Sequence, residues 1–226
     1  MIALLPWLLF GYLLGSVSSA WLYSRLRGVD LRRYGSRKLS GSNVYQFFGA
    51  GAMVVVGILD VAKAALPAWL ALRHGPGPWG SVAAGLGATA GHNWSVYLGL
   101  KGGRGVSTAL GMFLVVFWPA APWILAWLAL GRLWPSYAAL VGYLGILLLP
   151  ALALALQWGG AAVGACVGFL LLTTLKRLEG NREPPPAGET WRAVLWRRLW
   201  LDRDLSDFQS WAARQPHHED HPSTAT

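Results

Sequence analysis

Residues 99 to 108 read Gly-Leu-Lys-Gly-Gly-Arg-Gly-Val-Ser-Thr, with strongly apolar segments on both sides. Glycine lets backbone N–H groups approach an anion closely, and Lys101 and Arg104 place positive charge beside Gly102, Gly103 and Gly105. The chemistry that fits is anion binding at a membrane face. No Lys-Ser/Thr pair follows a glycine at the Walker spacing, so nucleotide hydrolysis fits poorly. A basic turn that merely fixes membrane topology accounts for the same residues and stays open as a reading.

Three further features carry chemistry. The stretch from Asp30 to Asn43 combines hydroxyls, glycines and cations, including Ser36, Arg37, Lys38, Ser42 and Asn43, and can hydrogen-bond a phosphate; an ordinary positively charged cytoplasmic loop is the alternative. Asp60 and Lys63 stand three residues apart in an apolar helix, so they share a face and neutralise one another, as a site or as a packed polar joint. His92 precedes the glycine loop by less than three helical turns, and its imidazole can orient a substrate, accept a proton, or simply pack. The residue five after His92 is Tyr97, so the His-x-x-x-x-Asp acyltransferase pair is missing. Gly85-Leu-Gly87-Ala-Thr-Ala90 loosely matches a dinucleotide pattern but lies in an apolar helix, where close helix packing is the expected role.

The elements that must position these residues are membrane helices. Apolar residues make up 54% of the chain and charged residues 13%, in long runs that place it among polytopic membrane proteins. The single cysteine, Cys166, excludes an intrachain disulfide, and no metal site or cofactor is expected. The net charge of +9 gathers in loops and tail, which suits topology and anionic lipid rather than nucleic acid. Apolar segments run from about 2 to 26, 44 to 72, 81 to 100, 106 to 118, 120 to 130, 136 to 156 and 161 to 175. The expected fold is therefore all-α and polytopic, with about seven transmembrane or partly spanning helices. The fourth and fifth are short and separated by Pro119 and Pro122. Placing every basic loop in the cytoplasm puts the N-terminus outside and the C-terminus inside. The first segment lacks a positive region before it and is expected to be a retained helix.

Residues 1–180 form the membrane domain on this reading, and 181–226 form a cytoplasmic extension. The extension begins with a Glu-Pro-Pro-Pro linker. Thr190 then caps a basic amphipathic helix in which Trp191, Leu195 and Leu199 recur every four residues and suit the headgroup layer. A disordered tail containing His217, His218 and His221 follows.

The order of these motifs resembles the PlsY family, integral-membrane glycerol-3-phosphate acyltransferases that use acyl-phosphate as donor. The resemblance rests on Gly15-Ser16 with Asp30-Leu31-Arg32, Tyr34-Gly35-Ser36 and Ser42-Asn43-Val44, on Leu59-Asp60-Val61-Ala62-Lys63, and on Gly91-His92-Asn93 leading into Leu100-Lys101-Gly102-Gly103-Arg104-Gly105-Val106-Ser107-Thr108. Leu178-Glu179-Gly180 weakly echoes a fourth motif. The resemblance implies seven helices in the cell membrane and a site facing the cytoplasm. It implies acyl-phosphate and glycerol-3-phosphate as substrates, lysophosphatidate and phosphate as products, and a place in phospholipid synthesis. It further implies Ser36, His92 and Arg104 as catalytic residues, with Arg37, Lys38, Ser42, Asn43, Lys101, Gly102, Gly103, Gly105 and Ser107 binding substrate. Asp60 and Lys63 enter as a polar pair of the site or of the structure.

The chain departs from the family pattern at Arg37, Lys38, Gln46, Arg104, Leu170 and Thr173. Those departures motivate a second reading, a catalytically impaired relative that binds phosphorylated lipid precursors as a regulatory or scaffold subunit. An organic-anion transporter is a third; buried Asp60 and Lys63 would suit it, but no inverted repeat accompanies them.

Overall fold

The computed structural model describes residues 2–31, 39, 41–180 and 185–208, with the side chain of Ser42 left out. Ser36, Arg37, Lys38 and the tail histidines lie outside the described residues. The helices are α1 (Leu5–Gly15), α2 (Ser19–Leu26), α3 (Gly41–His74), α4 (Pro78–Asn93), α5 (Val106–Val116), α6 (Ala120–Gly131), α7 (Ala138–Leu147), α8 (Leu149–Ala155), α9 (Gly160–Glu179) and α10 (Trp191–Leu201). Segments read as single helices are broken in two places. The first breaks at Ser16-Val17-Ser18, where the Ser18 hydroxyl caps α2 by accepting from the Trp21 N–H. The sixth breaks between α7 and α8, and Pro150 sits in the first turn of α8. α3 bends at Gly49, whose φ of 81° a residue with a β-carbon rarely adopts.

Four stretches among the described residues are long and apolar enough to cross a bilayer: Leu5–Leu26, Asn43–His74, Pro135–Ala155 and Gly160–Glu179. α5 and α6, with 11 and 12 residues, are shorter than a full crossing needs. α4, with 16 residues, is the hub of the bundle and packs against α1, α3, α5 and α9. Its small residues explain that place. A β-carbon on Gly91 would lie 2.1 Å from the Tyr12 carbonyl oxygen, so the α1 and α4 backbones touch. Gly85 and Gly87 are likewise packing positions, against Met112 and Leu8, as expected for a glycine pattern inside an apolar helix. Phe113, Phe117 and Phe169 fill the interior between α5 and α9, while Val54, Val55, Ile58, Leu125, Leu128 and Leu171 point outward as a lipid-facing surface. A chain with this set of apolar helices is a multi-pass membrane protein.

Candidate functional site

Three features separated in sequence converge at one end of α4. Asp60 on α3 is buried, and its Oδ1 accepts from the Lys63 ammonium at 2.9 Å and from the Ser19 hydroxyl at 2.9 Å. Its Oδ2 accepts from the Ser107 hydroxyl at 3.2 Å. Lys63 also donates to the Val17 carbonyl at 3.0 Å and faces His92 Nδ1 at 3.0 Å. An ammonium has three protons and no lone pair, so these partners account for its whole donor capacity. A buried pair held this fully is stable where a half-satisfied one would not be. The break between α1 and α2 contributes directly, because it frees the Val17 carbonyl and presents Ser19.

Because Lys63 can only donate, a neutral His92 must accept at Nδ1 and carry its proton on Nε2. That second nitrogen faces the glycine loop, since a β-carbon on Gly103 would lie 2.2 Å from it. His92 thus presents a hydrogen-bond donor to the loop, which suits orienting an anionic substrate rather than taking a proton. The loop itself folds back on the end of α4. Gly99 and Leu100 take left-handed φ values of 63° and 61°, Lys101 pairs with Ser95 as an antiparallel bridge, and the Gly103 N–H donates to the His92 carbonyl at 3.1 Å. Gly105, at φ 72°, is the N-cap of α5 and brings no side chain to that cap. The N–H groups of the first turn of α5 therefore point at an end of the helix with positive dipole character, the ordinary setting for an anion.

Among the binding residues expected from sequence, Gly102, Gly103 and Gly105 are buried in this loop and Lys101 is exposed at its edge. Ser107 is turned to Asp60 rather than outward from the loop. Asn43 is buried at the start of α3 and its Nδ2 reaches the Leu31 carbonyl at 3.5 Å, so it ties down the start of the Asp30–Asn43 loop. Leu39, near that loop's other end, places its carbonyl 3.0 Å from the position a Gly103 β-carbon would occupy. Arg104 leaves the loop in another direction. Its Nε donates to Asp202 Oδ2 at 2.9 Å, its Nη2 pairs with Asp202 Oδ1, and its Nη1 donates to the Lys176 carbonyl at 3.0 Å.

Sequence reasoning passed over Ser19, the Val17 carbonyl and Asp202. Nothing local to Ser19 signals a partner 41 residues away. The C-terminal helix forms where Thr190 predicts it, and it docks on α7 and α9 through Val194 and Arg198, while Trp191 and Leu195 of the apolar stripe stay exposed.

A family model described as glycerol-3-phosphate acyltransferase matches residues 5–181. The chain belongs to this family, the PlsY acyltransferases. A glycerol-3-phosphate acyltransferase 5 of Dehalococcoides mccartyi is 33% identical over 222 residues, covering 90% of each chain. A glycerol-3-phosphate acyltransferase of Synechococcus is 50% identical over 113 residues, half of this chain. The matched part of the chain spans 56% of that cyanobacterial relative and 53% of a second one from Parasynechococcus marenigrum. The crystal structure of PlsY (YgiH), an integral membrane glycerol 3-phosphate acyltransferase in its glycerol 3-phosphate form, superposes with a TM-score of 0.70 at 28% identity, over 79% of this chain and 90% of that one. Its lysophosphatidic acid form gives 0.69. The solved PlsY structures therefore share the helical fold over 79% of this chain, and α10 lies beyond the residues that the family model matches.

Proposed function

We propose that this protein moves a fatty acyl group from acyl-phosphate to glycerol-3-phosphate, giving lysophosphatidate and inorganic phosphate at the cytoplasmic face of the cell membrane. The observation that carries the reading is the convergence of the glycine loop, the uncapped N-terminus of α5 and Nε2 of His92 on one region. An acyl-phosphate is already activated, so the protein need not supply a nucleophile. The glycerol hydroxyl oxygen attacks the acyl carbon, the bond from that carbon to the phosphate oxygen breaks, and the departing phosphate carries away the hydroxyl proton. Two anions must be brought together for this, and positioning with charge stabilisation supplies most of the acceleration. Gly102, Gly103, Gly105, Lys101 and Arg104 surround the phosphate, His92 orients it, and the Ser36, Arg37, Lys38, Ser42 and Asn43 loop completes the cradle. The acyl chain enters sideways from the bilayer. Seven helices with the N-terminus outside put every basic loop on the same side of the membrane as this cradle.

The test is lysophosphatidate formation from acyl-phosphate and labelled glycerol-3-phosphate by protein reconstituted in lipid, with Arg104→Ala alongside. Product from the wild-type chain and its loss in the variant support the reading; equal turnover by the two proteins overturns the assignment. The replacements at Gln46, Leu170 and Thr173 favour a second reading, a binder without turnover. Saturable glycerol-3-phosphate binding with no product would decide for it.

A further inference from the structure

Arg104 and Asp202 are 98 residues apart, and their pairing joins the glycine loop to a segment outside the matched family core. The guanidinium meets the carboxylate side-on, through Nε and Nη2, while Nη1 reaches the Lys176 carbonyl at the end of α9. An arginine has five N–H groups. This arrangement leaves one on each terminal nitrogen, and such a pair is what a phosphate takes in bidentate contact.

Asp202 is itself held firmly. It is the C-cap of α10 in the left-handed conformation, φ 51°, and its N–H donates to the Arg198 carbonyl at 3.2 Å. α10 is anchored by Arg177, which donates to Leu199 and Ala139 carbonyls at 2.9 and 2.8 Å and lies over the Tyr143 ring. Tyr143 in turn meets Trp200 edge-on. Arg198 lies across Gly180, so close that a β-carbon there would come within 2.5 Å of its guanidinium. Asp202 thus stands on a platform built from the ends of α7, α9 and α10, and through it the platform grips the loop.

We propose that Asp202 is a positioning residue, supplied by the C-terminal extension, that fixes the guanidinium of Arg104 for the phosphate of glycerol-3-phosphate. The inference rests on the acyl-transfer reading for the identity of the anion. A mere latch for α10 would need only a shape that accepts left-handed backbone, which asparagine does as well as aspartate. Asp202→Asn therefore removes the charge and the two-oxygen grip while keeping the helix end.

The experiment measures glycerol-3-phosphate binding by calorimetry and steady-state turnover for the wild type, Asp202→Asn, Arg104→Ala and the double variant, with thermal unfolding as the check on folding. Asp202→Asn is expected to raise Kd and KM for glycerol-3-phosphate about tenfold with kcat within a factor of two and the melting temperature kept. In the Arg104→Ala background the same substitution should leave Kd unchanged, because Asp202 acts on the ligand through that guanidinium. An unchanged or lowered Kd in Asp202→Asn, or an additive effect in the double variant, overturns the proposal. Should Asp202→Asn fold poorly, Arg177→Lys, which keeps the charge beside Arg104 and Asp202 but loses the forked hydrogen bonds to the Leu199 and Ala139 carbonyls, loosens the same platform and is expected to weaken glycerol-3-phosphate binding in the same direction; unchanged binding in a folded Arg177→Lys counts against the proposal. Wild-type binding without product would overturn acyl transfer alone, since the binding arm still judges Asp202.

Discussion

Two clusters of charge flank the glycine loop, and they are built on opposite principles. The Asp60–Lys63–His92 cluster lies deep between α3, α4 and α5, none of its three side chains more than 8% exposed, with every ammonium proton of Lys63 given a partner inside the bundle. The Arg104–Asp202 pair is more open, at 17% and 19% side-chain exposure, and its acidic member comes from outside the matched core. Burial makes the first cluster all-or-none, because removing one member strands a charge in a medium that cannot solvate it. The second can weaken by degrees. The inner cluster therefore fixes where His92 points, and the outer one adjusts how the loop meets its ligand.

This contrast predicts graded effects. Asp60→Asn deprives the Lys63 ammonium of its counter-charge and replaces one of the two oxygens that accept from Ser19 and Ser107 with an NH2 donor. It is expected to cost about 3–5 kcal/mol, read as a large fall in thermal unfolding temperature in detergent. A melting temperature near that of the wild type would show that the inner cluster is not the joint described here. Gly103→Ala comes next, because its β-carbon would collide with His92 Nε2. Displacing the ring should lower turnover about a hundredfold and disturb its contact with Lys63. Full turnover would mean that the ring and loop do not act together.

At the outer cluster the expected effects are smaller. Arg177→Met removes hydrogen bonds to the end of α10 and to Ala139, and amide exchange in α10 should accelerate about tenfold while α3 and α4 exchange as before. Unchanged protection would show that α10 is held by other contacts. Thr190→Ala removes an exposed cap hydrogen bond at 3.4 Å and is expected to fray only the first turn of α10, by about 1 kcal/mol or less, leaving turnover unchanged. A loss of activity in that variant would mean that α10 is coupled to the site more tightly than the contrast allows.

Much of the inner site is legible in the sequence because its chemistry is local or improbable. A carboxylate and an ammonium three apart in an apolar run mark themselves, and so does a run of glycines with cations between apolar segments. The small residues of α4 likewise announce a helix packed on all sides, although not which neighbours it meets. What stays illegible depends on contacts between distant segments. Ser107 reads as a phosphate ligand from its place in the loop, but one turn of α5 swings its hydroxyl onto Asp60. The Val17 carbonyl becomes an acceptor for Lys63 only because the first apolar run breaks there, and the small residues Gly15, Ser16, Ser18 and Ser19 fit a continuous packed helix as well as a break. In α10 the four-residue period correctly marks an apolar stripe, yet the docked face is the one holding Val194 and Arg198. Periodicity gives an apolar face and says nothing of the arginine whose charge is met by Asp204 and whose guanidinium covers Gly180.

The central claim is that His92 offers an Nε2–H to the anion held at the glycine loop. Its most direct test is the rate of lysophosphatidate formation in proteoliposomes by wild-type protein, His92→Ala and His92→Gln, the last of which keeps a donor near the Nε2 position. A fall of about a hundredfold or more in His92→Ala with partial recovery in His92→Gln is the predicted result; wild-type rates in His92→Ala would contradict the account.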